Sequence, residues 1–305
     1  MKNLKLLLLF LLPLTAQSQN YTELIKKADS LYSAENYLES GKVFSEAFLL
    51  EEGNAGDYYD AACSWALSGD TTHSIKYLQL SVEKGWKAKK WMMNDKDLKS
   101  LHSQIEWEGI LEQAQFNKDE YEKDFDKELL TSLELIYTKD QMLRQLWKDA
   151  EEKFGKTSDE MKYFWELVAK EDRENEKVVE EIIKEHGWVG KSLVGGKANA
   201  ALWLVIQHAP IETQEKYLPL LKESVLKGES KGSHLAMLED RILMRKGEPQ
   251  MYGSQVTYSE EGKAEAYEIL EPEYVNQRRR EVGLGTIEDY LSRWDIKWTI
   301  EQKEK

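Results

Sequence analysis

The sequence predicts a mainly α protein in two parts: a run of helical repeats, then a mostly helical domain with room for a small β-hairpin near its end. Three observations carry this expectation. Between residues 22 and 83 a pattern of small and large residues recurs every 34 positions. From Leu129 onward apolar residues fall three and four apart, with Lys, Glu and Asp between them, which is the spacing of one helix face. Extended segments with strand character occur at one place only, around Gln255 to Ile269.

The chain opens with Lys2 and Lys5, an apolar run from Leu6 to Leu14, and Ala16-Gln17-Ser18. A basic start, a short apolar core and small residues at a cut are the marks of a secretory signal peptide, here residues 1–18. The mature chain is therefore expected to start near Gln19, exported to the periplasm or the exterior and soluble. The run is shorter than the roughly 20 apolar residues of a permanent membrane helix. No later segment is long enough to be an integral membrane span, and no cysteine stands directly after the run to take a lipid.

Next comes the repeat. Leu24, Ala28, Leu31, Ser40, Phe44 and Ala47 align with Tyr58, Ala62, Trp65, Ser74, Leu78 and Ser81, each 34 residues on. Small residues let paired helices approach, and large ones fill the gaps between them. These residues resemble tetratricopeptide repeats, with serine at several of the small positions. The resemblance implies a helical-repeat module over residues 21–115 that binds a protein or peptide partner. About three repeats are needed to close a core. Gly85-Trp86, Trp91, Leu98, Leu101, Ile105, Trp107 and Leu111 are expected to supply the missing layer. Polar Gln115 to Lys123 is the expected linker.

A helical domain over residues 121–300 should follow. Leu129, Leu133, Ile136, Leu143 and Trp147 form one apolar face. Thr157 and Glu160 form a capping box for the next helix, which Gly187 ends. Gly195-Gly196 precedes a helix apolar all round, stopped by Pro210. Pro219 is expected to divide the following helix, and Ser233 to cap one that Gly247 closes. Gln255 to Tyr258 and Ala266 to Ile269 can pair across a Glu-Glu-Gly turn, and short helices over 275–282 and 287–294 finish the chain.

The net charge of −14 repels phosphate backbones, so nucleic acid is not an expected partner. Cys63 is the only cysteine, which excludes an intrachain disulfide. Within a helical run of small residues it is expected to be a packed small hydrophobe. There is no Gly-x-Ser-x-Gly elbow and no phosphate-cradling glycine loop. His186, His208 and His234 sit on separate segments without metal-ligand spacing, so no metal and no cofactor is expected.

The chemistry that remains lies in polar blocks on apolar helices. These are Asp140-Gln141 with Arg144, Gln207-His208-Ala209, Glu239-Asp240-Arg241, and Tyr252-Gly253-Ser254-Gln255. Their order resembles a bacterial domain-of-unknown-function family, marked by Asp-Gln-x-x-Arg, Gln-His-Ala, Glu-Asp-Arg and Tyr-Gly-x-Gln blocks, over roughly the last 185 residues. That resemblance brings no activity with it. Glu239 and Asp240 stand among Leu235, Leu238 and Ile242, so each needs a cation or several donors. Arg278, Arg279, Arg280, Arg241 and Arg144 are the available partners.

Two readings follow. Asp140, Gln141, Arg144, Gln207, His208, Glu239, Asp240, Arg241, Tyr252 and Gln255 either line one pocket or interlock as a structural polar core. The first functional expectation is a binding or scaffold protein of the cell envelope that works through its repeats. The alternative is a hydrolase-like enzyme with a polar pocket in the helical domain.

Overall fold

The computed structural model describes residues 20–259 and 262–304, so the expected signal peptide lies outside the described residues. Two compact units divide the chain, Met1–Lys123 and Asp124–Lys305. The protein is mainly α, with one two-stranded sheet among the described residues. None of its described helices is long and apolar enough to cross a membrane.

In the first unit, α1 (residues 20–33), α2 (Tyr37–Leu50), α3 (Ala55–Leu67) and α4 (Thr71–Glu83) follow one another across short turns. Asn54 and Asp57 form a reciprocal capping box at the start of α3, and Asp70 accepts from the His73 N–H at the start of α4. The 34-residue period reappears as a repeated hydrogen bond. Ser40 Oγ donates to the Ala28 carbonyl at 2.8 Å, and Ser74 Oγ donates to the Ala62 carbonyl at 2.7 Å. Both serines are fully buried. They serve as small residues that also satisfy a carbonyl of the preceding helix.

Two further helices, α5 (Lys89–Asn94) and α6 (Trp107–Tyr121), close this core with Met92, Leu98, Leu101, Trp107 and Leu111. Trp91 and Ile105, expected in that layer, instead face solvent. The expected linker is corrected too. Helix α6 runs on through Tyr121, its earlier turns anchored by buried Trp107, Ile110, Leu111 and Ala114. Ala114 is fully buried on it, and the Asn117 amide donates to the Val82 and Trp86 carbonyls.

In the second unit, α7 (Lys127–Phe154) and α8 (Asp159–His186) are 28-residue helices in contact. Helix α9 (Lys191–His208) buries Val194, Ala198, Ala201, Leu202, Val205 and Ile206. The contact surfaces are Leu129, Leu133 and Ile136 of α7, Val179 and Ile183 of α8, and residues of α10 (Ile211–Leu226) and α11 (Gly232–Lys246). An all-round apolar helix needs such an all-round jacket.

Local chemistry displaced several expected boundaries. Ser158, not Thr157, caps α8 by accepting from the Met161 N–H. Helix α9 starts before the glycine pair, and Gly195 kinks it with a φ of 77°. Pro219 sits inside an unbroken α10, held by burial of Tyr217 and Leu221 on either side. Ser233 lies within α11, which starts at Gly232 with no side-chain cap, while Gly247 closes it in the left-handed conformation. The hairpin forms between β1 (Val256–Tyr258) and β2 (Ala264–Ala266), so its second arm comes earlier than Ala266 to Ile269. Ile269 belongs to a bridge with Gln250 instead. The 3-10 turn Pro272–Tyr274, then α12 (Val275–Glu281) and α13 (Ile287–Leu291), complete the unit around Ile269, Val275, Ile287 and Leu291.

Close approach of α2 to α3 makes a sharp test of the repeat packing. A Cβ on Gly41 would lie 2.7 Å from the Trp65 ring. Gly41→Ala is expected to destabilise the first unit by about 1–3 kcal/mol through overpacking. Thermal melts of the two proteins measure it, and an unchanged midpoint would show that Trp65 moves freely.

Candidate functional site

The ten polar residues singled out in the second unit fall into two networks joined at the adjacent pair Asp240 and Arg241. The first network is built on Asp240, which is fully buried on α11. Its Oδ1 accepts from the N–H groups of Met251 at 2.7 Å and Tyr252 at 3.0 Å, and its Oδ2 accepts from Ser254 N–H at 2.9 Å. One carboxylate thus orders the whole Tyr252-Gly253-Ser254 loop. Gly253 is required there: its φ is 67°, and a Cβ would meet Ile269 and Ile287 at 2.7 Å.

The opposite face of the loop is held by arginines. Arg278 donates to the Met251 carbonyl at 2.7 Å, and buried Arg279 donates to those of Tyr252 and Gly285 at 2.6 Å each. The Arg279 guanidinium also lies 4.8 Å over the Tyr290 ring, while Tyr290 Oη donates to the Ser254 carbonyl. Burial pushes the Asp240 carboxyl above its usual value, against the pull of the three N–H donors. The expected arginine partners therefore reach Asp240 through the loop rather than directly. Arg280 does not join them and pairs with Glu304 at the surface.

Glu239, expected to be a buried charge like its neighbour, is only part-buried. Its carboxylate accepts from Tyr252 Oη at 3.4 Å. Gln255 is placed by Gln250, a residue that the sequence reading passed over. Gln250 Oε1 accepts the Gln255 N–H, and its amide donates to the Gln255 and Tyr267 carbonyls. Gln250 followed a proline in a segment read only as loop, so its full burial had no periodic signal.

The second network gathers Asp140, Gln141, Arg144, Gln207, His208 and Arg241. Asp140, on α7, is 1% exposed. Its Oδ1 lies 2.9 Å from His208 Nδ1, and its Oδ2 accepts from the Gln141 amide at 2.7 Å. Arg144 bonds the Asp140 carbonyl one turn back and makes a two-pronged contact with Asp172 of α8 at 2.8–2.9 Å. Burial alone would raise the Asp140 carboxyl. The hydrogen bond and charge of His208, with Arg144 and Gln141, outweigh it and hold the group below its ordinary value. An ionised Asp140 only accepts, so Nδ1 of His208 is the donor and Nε2 is the ring's free polar atom. Around the end of α9, the Gln207 carbonyl takes the Gln214 amide and Arg241, and the Ala209 carbonyl takes Arg245. These bonds cap carbonyls that a helix end leaves unpaired.

Histidine 234 has a different fate. It stacks on Trp203 with ring centroids 4.1 Å apart, and burial pushes it down to about 4, as befits a neutral core residue.

A cavity of about 350 Å³ lies in the first unit, where the sequence analysis placed no site residues. Asp29, Asp60, Asp95, Asp97, Tyr32 and Tyr59 line it, with the largely exposed Trp91 among the lining groups. Tyr59 Oη donates to Asp95 at 2.8 Å, and Tyr32 Oη donates to Asp97. Buried Cys63 reaches the same wall. Burial, and then Asp95, Asp97 and Asp60, push its thiol well above the usual range. Desolvation by the surrounding protein, reinforced by Asp29, Asp57 and Asp95, raises Asp60 to about 6, although its side chain is exposed. None of the four aspartates has a lysine or arginine partner among the described residues. These acids lie up to 68 positions apart (29 to 97), and the only signal that could have joined them was the repeat itself.

Two groups have metal-ligating atoms within 4.8 Å of one another: Cys63 with Asp95 and Asp97, and Asp140 with Asp172 and His208. In the second, Arg144 already stands against both carboxylates. In the first, Asp95 and Asp97 already accept from the hydroxyls of Tyr59 and Tyr32.

Fold and networks thus define a helical protein of two units, the second held by buried carboxylate networks. Residues 123–302 match the family of unknown function DUF6624, and the chain belongs to that family. No curated protein and no solved structure matches it.

Two predictions follow from the networks. Asp240→Ala strands three backbone donors and is expected to cost about 3–5 kcal/mol, whereas Glu239→Ala costs about 1 kcal/mol or less. Chemical denaturation of both variants measures this, and equal losses would refute the assignment of roles. Asp140 contributes stability that is present above its unfolded value of 3.8 and lost as pH falls through its lower folded value. Asp140→Asn should therefore destabilise the protein near neutral pH, with the difference shrinking as pH falls below 3.8, as read from melts across the acid range.

Proposed function

We propose that this is an exported binding protein whose N-terminal helical repeats, of the tetratricopeptide kind, capture a cationic group of a protein or peptide partner. The observation that carries this reading is the N-terminal cavity with four aspartates that have no lysine or arginine partner among the described residues. Carboxylates crowded along one wall, two exposed and two part-buried, repel one another, and a lysine, arginine or amino-terminal group relieves that repulsion. Tyr32, Tyr59 and exposed Trp91 add aromatic faces, which attract cations within about 6 Å of a ring centre. A largely exposed tryptophan at the rim of a cavity supports a contact surface rather than a core. Export is supported by the leader-like sequence of residues 1–18. The hydrolase alternative needs Asp140, His208, Glu239 and Gln255 around one cleft. In the geometry Asp140 and His208 bond each other, while Glu239 and Gln255 bond elsewhere, so we set it aside.

Asp60 gives the reading a pH dependence. Its folded value of about 6 lies above the ordinary 3.8, so the free unit gains stability from protonated Asp60 at low pH and loses it as pH rises through about 6. A bound cation favours the ionised form. Calorimetry with lysine- and arginine-bearing peptides is expected to show binding that tightens from about pH 5 to 7, with no binding of a glutamate-bearing control. Asp60→Asn should flatten that pH dependence, and Trp91→Ala should weaken binding about threefold to tenfold. Peptides that bind equally well to both variants, or not at all to the native protein, would overturn the proposal.

A further inference from the structure

The end of α9 holds more positive charge than its own acids answer. Arg144, Arg241 and Arg245 gather there, against the two carboxylates Asp140 and Asp172, both of which Arg144 already contacts. Arg241 donates through one Nη to the Gln207 carbonyl at 3.3 Å, the peptide group that leads into His208. Its Nε is buried and has no acceptor. Arg245 donates to the Ala209 carbonyl at 2.8 Å, one residue beyond His208. No carboxylate lies within ion-pair distance of Arg241 or Arg245 among the described residues. Helix capping accounts for one nitrogen of each guanidinium and leaves the rest of their charge unmet.

The neutral groups around them are also incomplete. The buried Oε1 atoms of Gln207 and Gln214 lack a donor, which an anion does not supply, so they do not bear on the charge of an occupant. Asn175, on α8 one turn after Asp172, has a buried amide nitrogen without an acceptor. A buried donor left unmade costs about 1–3 kcal/mol, and Asn175 Nδ2 and Arg241 Nε are the donors here that an arriving acceptor would satisfy. Burial, and after it the charges of Arg245 and Arg144, hold Arg241 below its ordinary value, which an arriving anion would offset.

We propose that the second unit binds a small oxyanion, the phosphate or carboxylate group of a ligand, between Arg241 and Arg245 and beside Nε2 of His208. Arg241 offers its buried Nε and a second nitrogen in the fork geometry that suits two oxygens. Asp140 fixes the imidazole through Nδ1, so Nε2 meets the ligand from a set direction. Arg144 is a positioning residue, since its two terminal nitrogens are committed to Asp140 and Asp172. This site is independent of the cationic-group cavity of the first unit, and either can fail without the other.

The test uses the full chain with inorganic phosphate, and acetate as the second probe, by calorimetry at constant ionic strength. Saturable binding of phosphate, acetate or both is expected. Preference for phosphate assigns a phosphoryl ligand, and preference for acetate assigns a carboxylate. Arg245→Gln, at an exposed position, and Arg241→Gln should each weaken binding about tenfold or more. Arg280→Gln, which removes an exposed guanidinium paired with Glu304, should leave it unchanged. Where Arg241→Gln lowers the melting temperature, Arg245→Gln alone decides. Absence of saturable binding by either anion, or binding that persists unchanged in Arg245→Gln, overturns the proposal.

Discussion

A carboxylate taken out of water must be surrounded by donors, because nothing else replaces the hydration it loses. Asp240 meets that requirement by gathering three backbone N–H groups from a loop eleven to fourteen residues further on. The loop's carbonyls turn outward and are taken by Arg278 and Arg279, so one layer of backbone lies between an anion and two cations. Tyr290 then closes the arrangement from α13, through the Ser254 carbonyl and the face offered to Arg279. The small apolar cluster of Ile269, Val275, Ile287 and Leu291 is too slight to fix this end of the unit by burial alone. Its register depends on the peptide groups that Asp240 holds.

The same logic operates at a lower cost in the first unit. There the helices are brought together by serines that satisfy carbonyls one helix back, at Ser40 and again at Ser74. Alanine would allow the same approach but leave those lone pairs to the helix alone. Gly41 carries the approach to its limit against the Trp65 ring. Stacking the repeats this tightly also aligns their acids. Asp29, Asp60 and Asp95 come from different helical layers and meet along one wall, which explains how, after burial, residues far apart in sequence raise the Asp60 carboxyl.

Periodicity made the helices legible, and the long apolar faces of α7 and α8 and the all-apolar α9 are where it spoke most clearly. Boundaries set by a single hydrogen bond were not legible. Ser158 and Thr157 are both good caps, and only backbone geometry chose between them. Polarity misled at Gln115 to Tyr121, where the solvent face of a helix resembles a linker unless Ala114 is seen to be inside and Asn117 to bond the carbonyls of Val82 and Trp86. Among the polar blocks, the need for partners was readable but the choice between Glu239 and Asp240 was not. Adjacent helix positions differ by about 100°, and apolar neighbours surround both. What buries Asp240 is a loop, and loops carry no period.

The distinction between a structural polar group and a functional one comes down to what is left over once internal partners are counted. Asp240 has nothing left over: its oxygens are matched by donors, and Arg279 is matched in turn by carbonyls and a ring. Asp95 and Asp97 each take one tyrosine hydroxyl, which orients a carboxylate without neutralising it. Arg241 spends one nitrogen on a helix end and keeps its charge and a buried Nε without an answer. Burial without neutralisation raises the free energy of the empty protein. Such a cost is sustained where an outside group supplies the missing charge, negative at the end of α9 and positive in the cavity of the repeats.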